Sequence, residues 1–374
     1  MSNPTAGELP PSVTLLRPGS RVPSLDGIRA VSFLMVFAAH SSIRSIFGGS
    51  RLDFADLAFF GVTVFFFLSG FLITTLMRVE CERKGRVNVR HFWLRRALRI
   101  LPPFYVIVLL AMGIAQVLYP PGTVSVPSLL AEILFYENYW QIYADFHDPT
   151  GIGVVWSLAV EEHFYLLFPL LYAALQKSRV PPSRQAALLW SLCALVLAWR
   201  ILLVMGMHAM NPRIFLATDT RIDSILFGCA LAVWNNPALD KPTTSPNLWK
   251  YCYFPAAVAV ILLTLLIQDE VFRRTICFSI QGVALTAFFI AAVRFPSWSA
   301  FRLLNSRPAV FIGALSYSLY LVHDVLLRAM RNLYPQWHAG ERAVIALAAS
   351  LLIAYLLYEL VERPCAILRR RLTD

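Results

Sequence analysis

The chain has 374 residues, of which 58% are hydrophobic and 15% charged, and its mean hydropathy is +0.61. This composition excludes an ordinary soluble domain and favours an all-α protein that crosses the membrane several times. The net charge of +11 does not indicate nucleic-acid binding, because the basic residues stand in short loops between apolar segments. The six cysteines are scattered without metal-site or disulfide spacing, so we expect no metal.

The predicted elements begin with a polar segment, residues 1–24, which has no apolar core and is therefore not expected to be a cleavable signal peptide. Apolar segments long enough to cross a bilayer of about 30 Å follow it. The sixth is short and begins with Arg221 and Asp223, so we expect it to be tilted, partly re-entrant or more deeply placed. The sequence predicts about ten spans, near 28–47, 57–77, 101–119, 157–175, 186–206, 222–235, 251–267, 275–293, 310–328 and 342–361.

Loop charge gives the expected orientation. Arginine and lysine concentrate before the first span, in 78–100, after the fourth and eighth spans and at the end of the chain, whereas residues 120–156 carry only acidic charge. By the positive-inside tendency, both termini are expected in the cytoplasm, with the chain in the inner (cell) membrane. The predicted domains are a cytoplasmic segment over 1–24, a membrane domain over 25–364 and a basic cytoplasmic tail over 365–374.

Ionisable residues lie inside two of these apolar spans. His40 interrupts the first, and Glu161 and Glu162 interrupt the fourth. A charge at the bilayer centre costs about 2.5–3.5 kcal/mol, so such residues usually face a cavity or a reaction site. Arg29 and His40 are eleven residues apart and share one helix face, while His323 is expected at a depth similar to that of the glutamates.

Each of these residues also has a simpler explanation. His323 is equally well explained as an interfacial residue, and the glutamate pair as charge that complements a helix N-terminus. The basic cluster Arg95, Arg96 and Arg99 can be positive-inside charge alone, although guanidinium groups at this position also suit a phosphate site.

Seven ordered segments resemble the acyltransferase 3 family of integral-membrane, acyl-CoA-dependent O-acyltransferases. They cover almost the whole chain and include the R-x10-H spacing from Arg29 to His40. They are LDGIRAVSFLMVFAAH at 25–40, GVTVFFFLSGFLI at 61–73, FWLRRALRILPPFY at 92–105, WSLAVEEHFYLLFP at 156–169, TDTRIDSILFG at 218–228, IGALSYSLYLVH at 312–323 and YELVERP at 358–364.

The resemblance implies transfer of an acyl group, usually acetyl, from cytoplasmic acyl-CoA to a hydroxyl of a cell-envelope glycan, a lipid-linked sugar or another acceptor. It implies catalytic roles for Arg29, His40 and Glu161, and acyl-CoA binding by the basic cluster. No hydrolase-like segment follows the tenth span, so a stand-alone type is expected. The residues that we expect to contact the substrate are Asp26, Tyr165, Arg221, Asp223 and His323.

The expected mechanism has the thioester reach His40 from the cytoplasmic side while the acceptor arrives from outside. His40 would act as general base, with Glu161 fixing its tautomer or sharing the proton, or would carry the acyl group itself. The competing interpretation is a proton-coupled transporter or exporter that uses buried histidine and glutamate as a relay.

Overall fold

The computed structural model describes residues 22–41, 54–118, 125–144 and 152–373, and within these ranges the chain is helical without any strand. The prediction of an all-α fold is confirmed. Three π-helical segments, Leu202–Gly206, Trp249–Tyr253 and Tyr358–Glu362, extend or join neighbouring helices. The α-helices are α1 (Leu25–His40), α2 (Phe54–Lys84), α3 (Val89–Leu118), α4 (Val126–Ile133), α5 (Glu137–Tyr143), α6 (Val155–Lys177), α7 (Pro182–Ile201), α8 (Asn211–Leu216), α9 (Thr218–Arg221), α10 (Asp223–Val233), α11 (Pro246–Leu248), α12 (Phe254–Leu266), α13 (Glu270–Arg274), α14 (Cys277–Arg294), α15 (Ser299–Arg302), α16 (Arg307–Ala314), α17 (Ser316–Leu333), α18 (Ala339–Leu357) and α19 (Arg363–Thr373).

The chain is a multi-pass membrane protein. Among the described residues, 7 helical stretches are long and apolar enough to cross a bilayer, and the pair α16 and α17, bent by 73°, makes 8 if it counts as one span. Every predicted span contains a helix, but the number of ten crossings is not confirmed. With 16 residues in α1 and 11 in α10, these two are shorter than the about 20 residues that a crossing needs. The predicted end of the first span, beyond residue 41, lies outside the described residues.

Close packing of α10 against α2 explains how so short a helix is stable in the bundle. A methyl group built on Gly70 would lie 2.0 Å from the carbonyl oxygen of Ile225, and one on Gly228 would lie 2.0 Å from that of Phe67. The two glycines therefore let the helix backbones approach each other, as small residues do in membrane helix pairs. All of α10 is buried, so its neighbours, not the membrane, surround it.

Two helices carry most of the polar groups that concern function. Helix α1 begins near Arg29 and ends at His40, while α17 buries Ser316, His323 and Asp324 along its length. The two helices pack against each other beside α2. The bend before α17 separates it from α16, which packs on α1. Together α1 and α17 place one set of polar side chains near each end of the bundle.

Candidate active site

The first cavity, which we call the arginine cavity, lies between α1, α2, α3, α6 and α17 and contains about 770 Å³ of empty space, its open mouth included. Arg29, Arg96 and Arg99 line it together with a single carboxylate, that of Glu161. Its other polar lining residues are hydroxyl-bearing: Ser69, Ser157, Tyr165, Ser316, Tyr317 and Tyr320.

Positive charge prevails in the arginine cavity. Arg29 donates a hydrogen bond to Asp26 over 3.2 Å, whereas no carboxylate of the described residues forms an ion pair with Arg96 or Arg99. The guanidinium of Arg96 lies over the ring of Tyr165, 5.7 Å from its centre. Two guanidinium groups without a carboxylate partner can bind phosphate oxygens with bidentate hydrogen bonds.

Arg95 does not join the other two arginines of its cluster. Its guanidinium forms an ion pair with Glu80, with a nitrogen–oxygen distance of 2.6 Å, and lies outside the cavity lining. Residues three apart on a helix share a face, as Arg96 and Arg99 do, whereas adjacent residues point about 100° apart. Of the three arginines predicted to bind the donor, Arg96 and Arg99 therefore line the cavity and Arg95 does not.

Glu161 lies with the arginines and not beside His40, contrary to the expected depth. Helix α6 begins at Val155, so Glu161 lies about 9 Å along the helix axis from its first residue. There it faces Ser69, whose hydroxyl also lies 2.6 Å from the Tyr165 hydroxyl. Glu162 does not line the arginine cavity, and one of its buried oxygens has no hydrogen-bond partner among the described residues. Among the described residues, neither Glu161 nor Glu162 forms a hydrogen bond with His40.

The partner of His40 is His323. Nδ1 of His40 lies 3.0 Å from Nε2 of His323, and Nδ1 of His323 lies 2.7 Å from the carbonyl oxygen of Tyr320. His323 is completely buried, with Phe33 and Phe37 against its ring. His323, which was predicted to contact the substrate, therefore contacts the predicted base and has no exposed surface in the structure.

His40 lines a second cavity, which we call the histidine pocket, with Phe59, Trp156 and other residues of α1, α2 and α6. The histidine pocket and the arginine cavity share Val62 and Tyr320. The Tyr320 hydroxyl lies 2.7 Å from that of Ser157. We call Val62, Ser157 and Tyr320 the shared wall, because they stand between the arginines and His40.

His40 also borders a third cavity, the rim pocket, which is lined by Asp324, Arg328 and Arg331 as well. Asp324 accepts hydrogen bonds from Arg328 over 3.2 Å and from the Gly153 amide over 3.1 Å. His40 thus lines both the histidine pocket and the rim pocket.

Asp324, Ser69 and Tyr320 were not predicted as site residues. The available signal was local: Asp324 directly follows His323, Tyr320 lies three residues before His323 on the same helix, and Ser69 stands in the apolar segment 61–73.

Arg221 and Asp223 do not reach any of these cavities. Asp223 forms an ion pair with Arg200 over 2.7 Å, and both side chains are 0% exposed. Arg221 is also fully buried, with its guanidinium 3.6 Å from the centre of the Phe278 ring and a hydrogen bond to Thr63. Their burial indicates a structural role, so the structure gives no support to the prediction that they bind substrate. Asp26 likewise faces Arg29 and is absent from the cavity lining, whereas Tyr165 does line it.

Comparisons with known proteins identify the family of the chain. Residues 22–359 match the family described as "Acyltransferase domain". The peptidoglycan O-acetyltransferase OatA of Listeria monocytogenes is 29% identical over 359 residues, which are 92% of this chain and 55% of the relative. The O-acetyltransferase OatA of Staphylococcus aureus is 29% identical over 356 residues, 92% of this chain and 57% of the relative.

The chain thus spans little more than half the length of these relatives, and no solved structure matches it. The match to the acyltransferase domain nevertheless extends over most of the chain, from before α1 into the π-helical segment that follows α18. It includes Arg29, His40, Glu161 and His323. The chain belongs to the integral-membrane acyltransferase family that its motifs indicate.

Proposed function

We propose that this chain is a membrane-embedded O-acyltransferase that moves an acetyl group from acetyl-CoA to a hydroxyl of a cell-envelope carbohydrate or glycolipid. The observation that carries the proposal is the shared wall: a cavity with unpaired guanidinium groups and a pocket with a histidine meet at Val62 and Tyr320. The names of the relatives support acetyl as the group transferred, and one of them names peptidoglycan.

The donor would bind with its phosphates at Arg96 and Arg99, since these arginines face the cavity without carboxylate partners. The long, thin pantetheine arm would then extend along α1 toward His40. Arg29 and His40 are eleven residues apart on that helix, about 16 Å along its axis. Loop charge favours an orientation in which the arginine cavity opens on the cytoplasmic side of the inner (cell) membrane. Both termini would lie on that side.

The chemistry requires one base and one acceptor hydroxyl. His40 takes the hydroxyl proton while the hydroxyl oxygen attacks the thioester carbonyl carbon. The carbon–sulfur bond breaks, the acetyl group leaves on the acceptor oxygen, and the CoA thiolate receives the proton from His40. Arg29 is placed to position the pantetheine or to stabilise developing negative charge.

The acceptor would reach His40 through the rim pocket. That pocket carries guanidinium and carboxylate groups, and the adjoining histidine pocket contributes the aromatic rings of Phe59 and Trp156. Aromatic faces beside polar groups suit the amphipathic surface of a sugar.

The test is acetyl transfer by the full chain in sealed membrane vesicles that contain native envelope lipids. Vesicles would receive radiolabelled acetyl-CoA, and label in the glycan and glycolipid fraction would be measured. We expect His40→Ala to lower the rate by at least about 100-fold, because general-base catalysis contributes about 10²–10⁴-fold.

The matched control is His208→Asn. His208 is exposed, lies outside every cavity described above, and has φ of 51°, which asparagine tolerates. A normal rate in His40→Ala would overturn the role of His40. Wild-type vesicles that transfer no label but move protons with a solute would instead favour the transporter.

A further inference from the structure

We infer that His323 is a positioning residue that holds His40 in the tautomer with a proton on Nδ1 and a free lone pair on Nε2. The inference rests on the proposed function, because it assigns a task to the contact between the two rings. The observations that carry it are the two ring contacts of His323 and its complete burial.

The proton positions follow from the partners. A backbone carbonyl oxygen can only accept, so Nδ1 of His323 must carry a proton and donate it to Tyr320 over 2.7 Å. In a neutral imidazole the other nitrogen is then an acceptor, which makes Nε2 of His323 the acceptor of the contact with His40. Nδ1 of His40 must therefore be the donor over 3.0 Å, and its Nε2 is left unprotonated.

The ring geometry agrees with a hydrogen bond in the ring planes. The two rings are 12° from parallel, and their centres are 5.2 Å apart. For a nitrogen–nitrogen contact of 3.0 Å, this is close to the largest separation that the centres can have, so the nitrogens lie between them. The rings therefore meet edge to edge and do not stack face to face.

The surroundings keep this arrangement in place. His323 is 0% exposed, and the ring of Phe33 meets it edge-on at 90° with the centres 5.7 Å apart. A neutral imidazole can be buried here at lower cost than the ionised carboxylate that often orients a catalytic histidine, since an unpaired buried charge is strongly disfavoured. His323 leaves His40 with one accessible nitrogen, and that nitrogen is the one that takes the proton.

A pair of substitutions of similar size separates positioning from packing. In His323→Gln the amide oxygen can take the place of Nε2 and accept from His40, whereas in His323→Met the chain has similar length but only a weak acceptor. Acetyl transfer and the KM for acetyl-CoA would be measured for the full chain in vesicles. We expect His323→Met to lower kcat by about 100-fold with KM nearly unchanged. The kcat of His323→Gln should be at least about tenfold higher than that of His323→Met.

The tautomer can be observed directly in protein labelled with ¹⁵N-histidine. We expect the His40 ring to be protonated on Nδ1 in wild type and in His323→Gln, and on Nε2 in His323→Met. Equal kcat in the Gln and Met variants, or a wild-type His40 protonated on Nε2, would overturn the inference. These outcomes are distinct from failure of the proposed function, which a fully active His40→Ala variant would reveal.

Discussion

At the scale of single residues, helix geometry decides which members of a basic cluster can act together. Arg96 and Arg99 face the arginine cavity, while Arg95 turns away to Glu80. The sequence contains this information only if the helix is known to continue through 95–99. An interpretation from composition alone assigns the same role to all three arginines.

Arg99→Gln is therefore expected to raise the KM for acetyl-CoA by about tenfold or more, because a hydrogen bond to a charged group contributes about 1.5–3 kcal/mol. Arg95→Gln is the matched control on the same helix, and its KM should change by less than about twofold, since partly exposed ion pairs contribute little. Initial rates over a range of acetyl-CoA concentrations measure both. An equal effect of the two substitutions would contradict the division of the cluster.

Asp223 offers a second test, directed at stability. Asp223→Ala is expected to lower the free energy of unfolding by about 3–5 kcal/mol, because it leaves the Arg200 guanidinium buried without its counter-charge. Glu82→Gln removes the partner of an exposed pair with Arg78 and should cost less than about 1 kcal/mol. Denaturation of the detergent-solubilised protein compares them. An Asp223→Ala variant that is as stable as wild type but binds substrate poorly would favour the sequence-based prediction that Asp223 contacts the substrate.

The sequence predicted which residues are unusual better than it predicted which side chains they contact. The sequence identified His40, Glu161 and His323 as unusual because each interrupts an apolar run. It could not reveal that His40 contacts His323 and not Glu161, since that depends on the mutual rotation and depth of α1, α6 and α17. Hydropathy fixes a helix to within a few residues, and a few residues are enough to exchange one partner for another.

At the scale of secondary structure, hydropathy placed a predicted span on each of the long apolar helices of the described residues but misjudged several lengths. Helix α10 has only 11 residues, all of them buried, and it packs closely against α2, so it does not need the about 20 residues of a crossing that faces lipid. The 73° bend between α16 and α17 was also not predicted. It depends on the packing of α16 against α1, which no local pattern records.

The shared wall makes a prediction at this scale. Val62 of α2 is 4% exposed and borders both the arginine cavity and the histidine pocket. Val62→Trp is expected to lower acetyl transfer at least about tenfold while acetyl-CoA still binds, because the larger ring would fill the passage toward His40 at a packing cost of about 1–3 kcal/mol. Binding of radiolabelled acetyl-CoA and transfer are measured on the same preparation.

Val62→Ala serves as the control, since it leaves the passage open. A Val62→Trp variant that transfers acetyl at the normal rate would place the route of the thioester elsewhere.

At the scale of the whole molecule, the proposal assigns the donor to one end of the bundle and the acceptor to the other. The loop between α2 and α3 lies next to the arginines, and the loop between α17 and α18 follows the rim pocket. The alternation of loop charge predicts that the first of these loops faces the cytoplasm. The alternation of loop charge indicates which loops share a side of the membrane, but it does not distinguish a short buried helix from a helix that crosses the membrane.

We expect acetyl-CoA to support transfer only from the side that bears residue 86. Single cysteines introduced at Arg86 and Gln336, both exposed, in a variant whose six native cysteines are replaced by serine, would report orientation in proteoliposomes through a membrane-impermeant maleimide. Transfer should follow acetyl-CoA supplied to the face on which the cysteine at 86 reacts. Transfer from the face of position 336 would reverse the proposed orientation.

The contact between the Tyr320 and Ser157 hydroxyls has a further consequence for the cell. A protein that lets donor and acceptor meet inside the bilayer must avoid becoming a conductive leak for ions, which would dissipate the energy stored across that bilayer. Aromatic and aliphatic bulk around one pair of hydroxyls can insulate the two compartments when no thioester is present. The same few atoms would then protect the electrochemical gradient between turnovers.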